Sequence, residues 1–228
     1  MNIVKSENVN EDCEAWEAYP KLHKWFNKLW LSEQLGYTCG PGGTAPKEKG
    51  HYVVRPIYNL SGMGVGAKIK KIKPDDYESV KSGYFWCESF NGEHYSVDYI
   101  WVSDSQIGGY WTPKSSYQGT NFPINLAKFA EWKRSEYLPE LPDRHKDLWK
   151  EIGYGGVPTI NVEWVGDKIV ELHLRPGNIY NYSTLVPVWK SWPLGVQTHW
   201  EHNGFTFIEA FDDGDGQLKD ARLGFMVK

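Results

Sequence analysis

Apolar residues recur with helical spacing in the first part of the chain. Within residues 20–35, intervals of three and four separate Leu22, Trp25, Phe26, Leu29 and Trp30. Such spacing places the side chains on one face of an α-helix. Pro20 suits the first helical position, and Gly36 suits the position just after the last turn. The pattern therefore predicts one helix over 20–35.

Strand-like alternation follows this helix. HYVVRPIY (51–58) and AKIKKI (67–72) flank a glycine-dense break, which predicts two strands joined by a loop. GYFWCESF (83–90) and HYSVDYIWV (94–102) are separated by Asn91–Gly92, a strong hairpin signal. We therefore expect the second pair of segments to form a hairpin.

Helical spacing returns near 125–137 and at 143–152. For the second of these segments we expect Asp143 to be the N-cap and Gly153 to end the helix. Both segments are expected to be α-helices.

The remainder of the chain has strand-like spacing. TINVEWV–GDK–IVELHLR predicts a hairpin at 159–175, and the tail at 187–228 predicts further strands with a DDGDG turn. Strands followed by helices and then by more strands favour an α+β fold over a doubly wound α/β sheet.

Composition narrows the functional classes. The 228 residues and 26.3 kDa fit one domain or two small lobes, and 40% hydrophobic residues with a mean hydropathy of −0.56 fit a folded core. A net charge of −4 argues against a partner that is nucleic acid, since phosphate binding needs a basic surface. Neither a run of about 20 apolar residues nor a targeting segment is present. We expect a cytoplasmic protein without a membrane partner.

The cysteines and the glycine pattern exclude several common sites. Cys13, Cys39 and Cys87 are odd in number and form no CxxC pair, so neither a disulfide framework nor an all-cysteine zinc site is indicated. GxxxxGK[ST] is missing, and GMGVG lacks the GxGxxG spacing.

The hairpin at 159–175 carries the most informative chemistry. With its apolar residues on one face and a three-residue Gly166–Asp167–Lys168 loop, Glu163 lies opposite Glu171 and Asn161 opposite His173.

Two ionised carboxylates in such a pair repel each other by roughly 3 kcal/mol at an effective dielectric of about 20. The pair needs compensation from Arg175, a shared proton or a divalent cation, for which oxygen ligands suit Mg²⁺. The alternative is a solvated hairpin face of mixed charge.

Two further segments suggest phosphate and nucleoside contacts. In VVRPIYNLSGMGVGAK (53–68), a strand that ends in Arg55 is followed by a glycine loop whose N–H groups could cover a polyphosphate. In FWCESFNGEHYSVDY (85–99), a strand runs into Glu88 and a tight turn with Glu93 and His94. The alternatives are a glycine-rich turn with a surface arginine, and a hairpin with ordinary surface acids.

Taken in order, these segments resemble the ATP-grasp superfamily. VVRP with its glycine loop is similar to the phosphate-covering hairpin of carbamoyl-phosphate synthetase, and CESFNGEHYSVDY resembles the adenine hinge, ribose acid and "sVDv" strand. NVEW and VELHLRPGN resemble the paired metal-binding strands, where the family usually has E-x-N-x-R. Asn27–Lys28 and LGYTCGP resemble the lysine-containing helix and the entry to the ATP lobe. The resemblance covers about residues 25–180.

The resemblance implies a role for each matching residue. Arg175 would stabilise the transferring γ-phosphoryl group, and Arg55 and Lys28 would contact the ATP phosphates. Glu88 would lie at the adenine hinge, and either Glu93 or His94 would meet the ribose. The residues that would close over the phosphates are Ser61, Gly62, Met63, Gly64 and Gly66. The ligands of Mg²⁺, or of Mn²⁺, would be Glu163, Glu171 and His173.

The implied fold has two lobes of antiparallel sheet with ATP between them. We expect an N-terminal helical segment (1–44), an ATP-binding lobe (45–105), a metal-binding core lobe (106–186) and a C-terminal β extension (187–228). The implied reaction activates a carboxylate as an acyl phosphate and joins it to an amine, with release of ADP and phosphate. Alternatives are an ATP-grasp phosphotransferase and a non-catalytic nucleotide- or glycan-binding module.

This sequence departs from the family pattern in two places. His173 stands where asparagine is usual, and imidazole is a poorer ligand for Mg²⁺ than an amide oxygen. Only some 25 residues precede the lysine-containing helix, so the usual N-terminal substrate domain is not expected. The substrate, a small molecule or a peptide with a carboxylate or amine, would then be met by other segments, by a second copy in a homodimer or by a partner protein.

Overall fold

The computed structural model describes most of the chain. It covers residues 9–60, 64, 66–104, 108–122, 125–177, 182–192, 201–212 and 221–228. Ser61, Gly62 and Met63 of the expected phosphate loop lie outside the described residues, as does the DDGDG turn after Asp212.

The N-terminal region is helical but is not one helix. α1 spans Asp12–Ala18, a 3-10 helix spans Pro20–Phe26 and α2 spans Lys28–Gln34. The prediction of a single helix over 20–35 was wrong, because the chain breaks at Asn27. The Asn27 side chain accepts the Trp30 N–H. The Lys28 N–H donates to Ile57 O at 2.9 Å, and not to a carbonyl one turn earlier as a continuous helix would require. Gly36, with φ of 76°, follows the helix as expected.

A four-stranded antiparallel sheet contains the predicted Arg55 strand. Its order is β1 (Cys39–Pro41), β4 (Tyr84–Glu88), β2 (Gly50–Pro56) and β3 (Lys68–Ile72). β2 and β3 pair with Val54 opposite Lys68, so the predicted strand–glycine loop–strand unit is confirmed.

A larger antiparallel sheet has eight strands. Its order is β11 (Thr206–Asp212), β12 (Arg222–Val227), β10 (Thr184–Trp189), β7 (Asn125–Ser135), β6 (Tyr110–Phe122), β5 (His94–Val102), β8 (Thr159–Val165) and β9 (Lys168–His173). The strands predicted in the tail are confirmed, and β8 and β9 form the predicted hairpin.

The hairpin predicted for 83–90 and 94–102 was wrong. β4 pairs with β1 and β2, whereas β5 pairs with β6 and β8, so the two strands belong to different sheets. Asn91–Gly92 therefore lies in a crossover between the sheets rather than in a hairpin turn.

The helix predicted near 125–137 was also wrong, because this segment is strand β7. β7 lies between β6 and β10, and the register places Trp132 opposite Gly119 on one side and Leu185 on the other. Two neighbouring strands that supply backbone hydrogen bonds outweigh a weak helical pattern in a short segment.

The helix predicted at 143–152 is confirmed, but its ends differ. A 3-10 turn at Asp143–His145 precedes α3 (Lys146–Tyr154), and no side chain caps either start. Gly153 was wrongly expected to end the helix. It lies inside α3, and a Cβ there would come within 2.2 Å of the Trp101 ring, so glycine allows the tryptophan to pack against the helix.

The main core lies between the helices and β5, β8 and β9. Its fully buried members include Trp25, Tyr99, Ile152 and Ile160. None of the helices in the described part of the chain is long and apolar enough to cross a membrane. The domain boundaries proposed at 44/45, 105/106 and 186/187 stay a prediction.

Candidate functional site

The acid pair lies where the sequence predicted it. Glu163 on β8 is opposite Glu171 on β9, and Asn161 is opposite His173. The turn differs, because Val165 pairs with Lys168 around a two-residue Gly166–Asp167 loop. The register then shifts between Glu163 and Trp164, where Val170 is the extra residue of a β-bulge. Because of the bulge, Glu163 still lies opposite Glu171, as the three-residue loop was expected to achieve.

Lys28 supplies the charge opposite Glu171. The Lys28 ammonium forms a hydrogen-bonded ion pair with Glu171 Oε1, and both side chains are almost buried, at 10% and 12% exposed. The Lys28 N–H also bonds to Ile57 O, which follows β2. Lys28 therefore connects the end of the Arg55 strand in the small sheet to the acid pair in the large sheet.

Two histidines flank Glu163. His94 Nε2 lies 3.1 Å from Glu163 Oε2, and His173 Nε2 lies 3.9 Å from Glu163 Oε1. Burial by itself raises the pKa of the Glu163 carboxyl. The nearby His173 ring and the hydrogen bond with His94 outweigh burial and hold this pKa well below its usual range. Glu163 is therefore ionised at neutral pH.

His173 and Arg175 share a third carboxylate, that of Asp12 on α1. His173 Nδ1 lies 2.9 Å from Asp12 Oδ2, and Arg175 Nε donates to Asp12 Oδ1 at 2.9 Å. Burial would raise the pKa of Asp12, but the charges of His173 and Arg175 outweigh it and lower this pKa. Burial would likewise lower the pKa of His173, but Asp12 raises it to about 9. The pair is therefore a buried imidazolium–carboxylate contact.

Arg55 lies on β2 with an unused donor. Its guanidinium stacks 5.2 Å from the Phe85 ring centroid, and its buried Nε has no hydrogen-bond partner within the described part of the protein. Of the loop that follows β2, Gly64 and Gly66 are described, with φ of 61° and 78°. Left-handed backbone at both positions favours glycine.

The three residues expected to meet the nucleoside differ in their surroundings. Glu88, at the end of β4, accepts the Thr38 N–H at 2.7 Å. Glu93 is exposed and accepts the Tyr95 hydroxyl. Of the pair Glu93 and His94, only His94 contacts the acid pair among the contacts described.

A buried polar network holds the loop that follows Arg175. Asp98 on β5 accepts the Gly177 N–H at 2.8 Å and an Asn161 side-chain N–H at 2.9 Å. A Cβ at Gly177 would come within 2.8 Å of Asn161 Nδ2, so glycine permits this close approach. The network ties β5 and β8 to the segment that carries Arg175.

Asp12 is the site residue that the sequence reasoning missed. Its signal was weak, since Glu11 and Glu14 form a capping box that marks the start of α1, and the acid between them reads as surface charge. Only the fold brings α1 to the end of β9, 161 positions along the chain.

The donors present fit a divalent cation. Two carboxylates and the His173 Nε2 face one another, with Nε2 3.7 Å from Glu171 Oε1, and a metal-bound histidine usually has its other nitrogen held by a carboxylate. In the part of the chain that the structure describes, no group of three such residues is arranged as a ready metal cage. A cation bound here would have to displace both the Lys28 ammonium from Glu171 and the proton from His173 Nε2, because a metal binds only the neutral imidazole.

Comparisons with known proteins give results for structure but none for sequence. No family model matches the chain, and no curated protein sequence matches it. N5-carboxyaminoimidazole synthetase from Staphylococcus aureus complexed with ADP aligns over 97% of this chain and 74% of its own, at 12% identity and a TM-score of 0.51. Carboxyaminoimidazole ribonucleotide synthase from Aspergillus clavatus complexed with ATP aligns over 93% and 69%, at 10% identity and a TM-score of 0.51.

Other matched structures are considerably longer than this chain. L-amino acid ligase from Bacillus licheniformis aligns over 75% of this chain at 13% identity and a TM-score of 0.42. The alignment covers 42% of that ligase, so this chain spans less than half of its length. The two synthetase structures, together with the paired antiparallel sheets, show that the chain has the ATP-grasp fold.

Proposed function

We propose that this ATP-grasp chain is an ATP-dependent carboxylate–amine ligase. The observation that carries the proposal is the Glu163–Glu171 pair on β8 and β9, with Lys28 and His173 beside it. Arg175 binds Asp12, which also contacts His173. Two structures that share the fold are synthetases bound to ADP or ATP, which supports a nucleotide as the ligand. The carboxylate and amine are unassigned small molecules or peptides.

The proposed reaction proceeds in two steps. An oxygen of the substrate carboxylate attacks the γ-phosphorus of ATP, the bond to the β–γ bridging oxygen breaks, and ADP leaves. An amine then attacks the acyl carbon, phosphate leaves, and the amine nitrogen gives up a proton to solvent. Arg175 offsets charge on the phosphoryl oxygens, while Arg55 and Lys28 bind the phosphates of ATP.

The remaining residues have proposed roles in binding. Glu163, Glu171 and His173 hold Mg²⁺ or Mn²⁺, which neutralises phosphate charge when bound. The glycine loop, through Gly64 and Gly66, covers the phosphates. Glu88 lies at the adenine, and Glu93 or His94 meets the ribose. Lys28 would exchange its Glu171 partner for a phosphate once the cation is present, because the cation would then offset the charge of Glu171.

A non-catalytic nucleotide-binding module is the second candidate. It is favoured because two of the three cations expected at the phosphates are already paired in this structure, Lys28 with Glu171 and Arg175 with Asp12. The unused Nε of Arg55 supports a phosphate ligand under both candidates.

Thermal melting with ATP and either metal is the first test. A ligand that binds only the folded state at 100 times its Kd adds about 2.7 kcal/mol to stability. A metal-dependent rise in Tm with ATP is expected, and no rise with either metal would contradict both candidates.

Glu171→Gln separates the two candidates. We expect it to abolish release of ADP from ATP with pooled carboxylates and amines, because it removes one acid of the pair. Asp167→Asn, in the turn of the same hairpin and 83% exposed, is the matched control and should keep full turnover. Unchanged turnover in Glu171→Gln would refute the metal assignment, and ATP binding without turnover in the parent protein would favour the binding module.

A further inference from the structure

Asp12 is a buried acid in a helix that is firmly attached to the core. Its residue is 2% exposed, and its neighbour Ala15 in α1 is fully buried. A capping box formed by Glu11 and Glu14 caps the N-terminus of this helix. Since α1 is packed in place, the carboxylate is a fixed acceptor rather than a mobile surface charge.

This carboxylate sets which way the His173 ring faces. Both Asp12 oxygens lie within hydrogen-bond reach of His173 Nδ1, at 3.0 and 2.9 Å. With Nδ1 held, Nε2 lies on the side of Glu171 Oε1 at 3.7 Å and Glu163 Oε1 at 3.9 Å. Ring rotation would break the Asp12 contact and turn Nε2 away from the acid pair.

The same carboxylate limits the freedom of Arg175. Arg175 Nε donates to Asp12 Oδ1 at 2.9 Å, and Nη2 approaches Oδ2 at 3.4 Å. Nη1 donates to Pro176 O at 3.0 Å. Three contacts therefore fix the plane of the guanidinium.

We propose that Asp12 is a positioning residue of the nucleotide–metal centre, which aims His173 Nε2 at the Glu163–Glu171 pair and fixes the plane of Arg175. The inference rests on the proposed function, because it assumes that a divalent cation binds at that pair. Asp12 itself touches neither metal nor nucleotide. It acts through His173 and Arg175, as a carboxylate behind a metal-bound histidine does.

The test measures Mn²⁺ affinity in the presence of ADP, by electron paramagnetic resonance of free Mn²⁺ with a blank for the Mn²⁺–ADP complex. Asp12→Asn is expected to weaken Mn²⁺ binding by about 10- to 100-fold, the usual loss when such a carboxylate is removed. Glu17→Gln, on the exposed face of α1, is the matched control and should bind as the parent does.

A double-mutant cycle separates positioning from general damage. In a His173→Asn background no ring needs orientation, so adding Asp12→Asn should cost less than about 3-fold in Mn²⁺ affinity. An equal loss in both backgrounds would overturn the inference. Parent-like Mn²⁺ affinity in Asp12→Asn would also overturn it. So would turnover above that of the parent, because Asp12 would then hinder the reaction instead of supporting it.

A measurement on the unaltered protein covers the case in which Asp12→Asn does not fold. In imidazole ¹⁵N spectra, Mn²⁺ with ADP should broaden the His173 Nε2 resonance more than Nδ1. Stronger broadening of Nδ1 would overturn the inference alone. A parent protein that binds no Mn²⁺ would overturn the inference together with the metal site of the proposed function, and a melting shift with ATP would still register nucleotide binding.

Discussion

The β4–β5 and β8–β9 segments carry the same local signal but have different outcomes. Each has two strand-like runs joined by a tight glycine-containing turn, yet only β8–β9 is a hairpin. β4 and β5 separate into two sheets, and the crossover between them lies against the turn of the hairpin. The Gly166 N–H donates to Glu93 O at 2.9 Å, and a Cβ on Gly92 would meet Gly166 Cα at 2.6 Å.

The difference shows that a turn signal specifies a change of direction and not a partner. The apolar faces of β8 and β9 pack against the same core. Pairing with the next strand in the sequence therefore also buries the apolar side chains of both strands. β5 finds a better partner in β8, where Asp98 lies opposite Asn161, and β4 finds partners in β1 and β2. The result puts the Arg55 strand and the acid pair in separate sheets that meet at Lys28.

The largest effect is expected where the two segments touch. Gly92→Ala adds a Cβ against the Gly166 backbone at a φ of 134°, so it combines overpacking with backbone strain. We expect a loss of about 3 kcal/mol or more in the free energy of unfolding, measured by urea denaturation. Gly43→Ala, at a φ of 85° with open space around it, should lose only about 1–2 kcal/mol. Equal losses would show that the close approach is unimportant.

The next effect concerns the partner that β5 selects. Asn161→Ala removes the side chain on β8 that hydrogen-bonds to Ser96 and Asp98 on β5. Asn161 is only 4% exposed. We expect about 2 kcal/mol of destabilisation, because the buried Asp98 carboxylate loses a donor. Surface substitutions usually change the free energy of unfolding by no more than about 0.5 kcal/mol. A change that small for Asn161→Ala in urea denaturation would mean that these hydrogen bonds do not select β8 as the partner of β5.

A smaller effect concerns the partner of β4. Cys39 of β1 lies opposite Cys87 of β4, and burial raises the pKa of Cys39 to about 12 and that of Cys87 to about 11. At pH 9 a thiol of pKa 11 is about 1% ionised, so Cys87 should react with iodoacetamide tens of times more slowly than a cysteine of ordinary pKa. Mass spectrometry of labelled peptides should find Cys13, which is exposed, modified first.

The sign of the accompanying stability change follows from the raised pKa values. The folded protein disfavours the thiolates, so this contribution is fully present below the unfolded pKa of about 9 and is lost as the pH rises toward 11. A Cys87→Ala variant should lose less stability than the parent between pH 8 and pH 10. Rapid labelling of all three cysteines in the folded protein would contradict the β1–β4 pairing.

The smallest effect is expected at the bulge of β9. Deleting Val170 removes the extra residue of the bulge and keeps Glu163 opposite Glu171 and Trp164 opposite Ile169. The hairpin should therefore tolerate the deletion, with a loss of less than about 2 kcal/mol in the free energy of unfolding. Deleting Leu172 instead is the control, because it would move His173 to the opposite face. Similar melting temperatures for the two deletions would show that the register is not fixed in this hairpin.

Residues in local patterns could be predicted, and residues in distant contacts could not. The opposition of Glu163 and Glu171 followed from alternation alone, even though a bulge rather than a longer loop produces it. The neutralisation of that pair was open between Arg175, a proton and a metal. In the structure the groups next to the pair are Lys28, His94 and His173, while Arg175 pairs with Asp12.

The sequence by itself determined the Arg55 strand with its glycine loop, the facing of the acid pair and the strands of the tail, because each depends on side-chain spacing within a few residues. Tertiary structure alone decided that β4 and β5 separate, that 125–135 is a strand, and that Lys28 and Asp12 reach the acid pair. These depend on which distant strands provide hydrogen bonds and where packed helices end. Charges separated by more than a hundred residues are neighbours only in the folded chain, where the packed core brings their elements together.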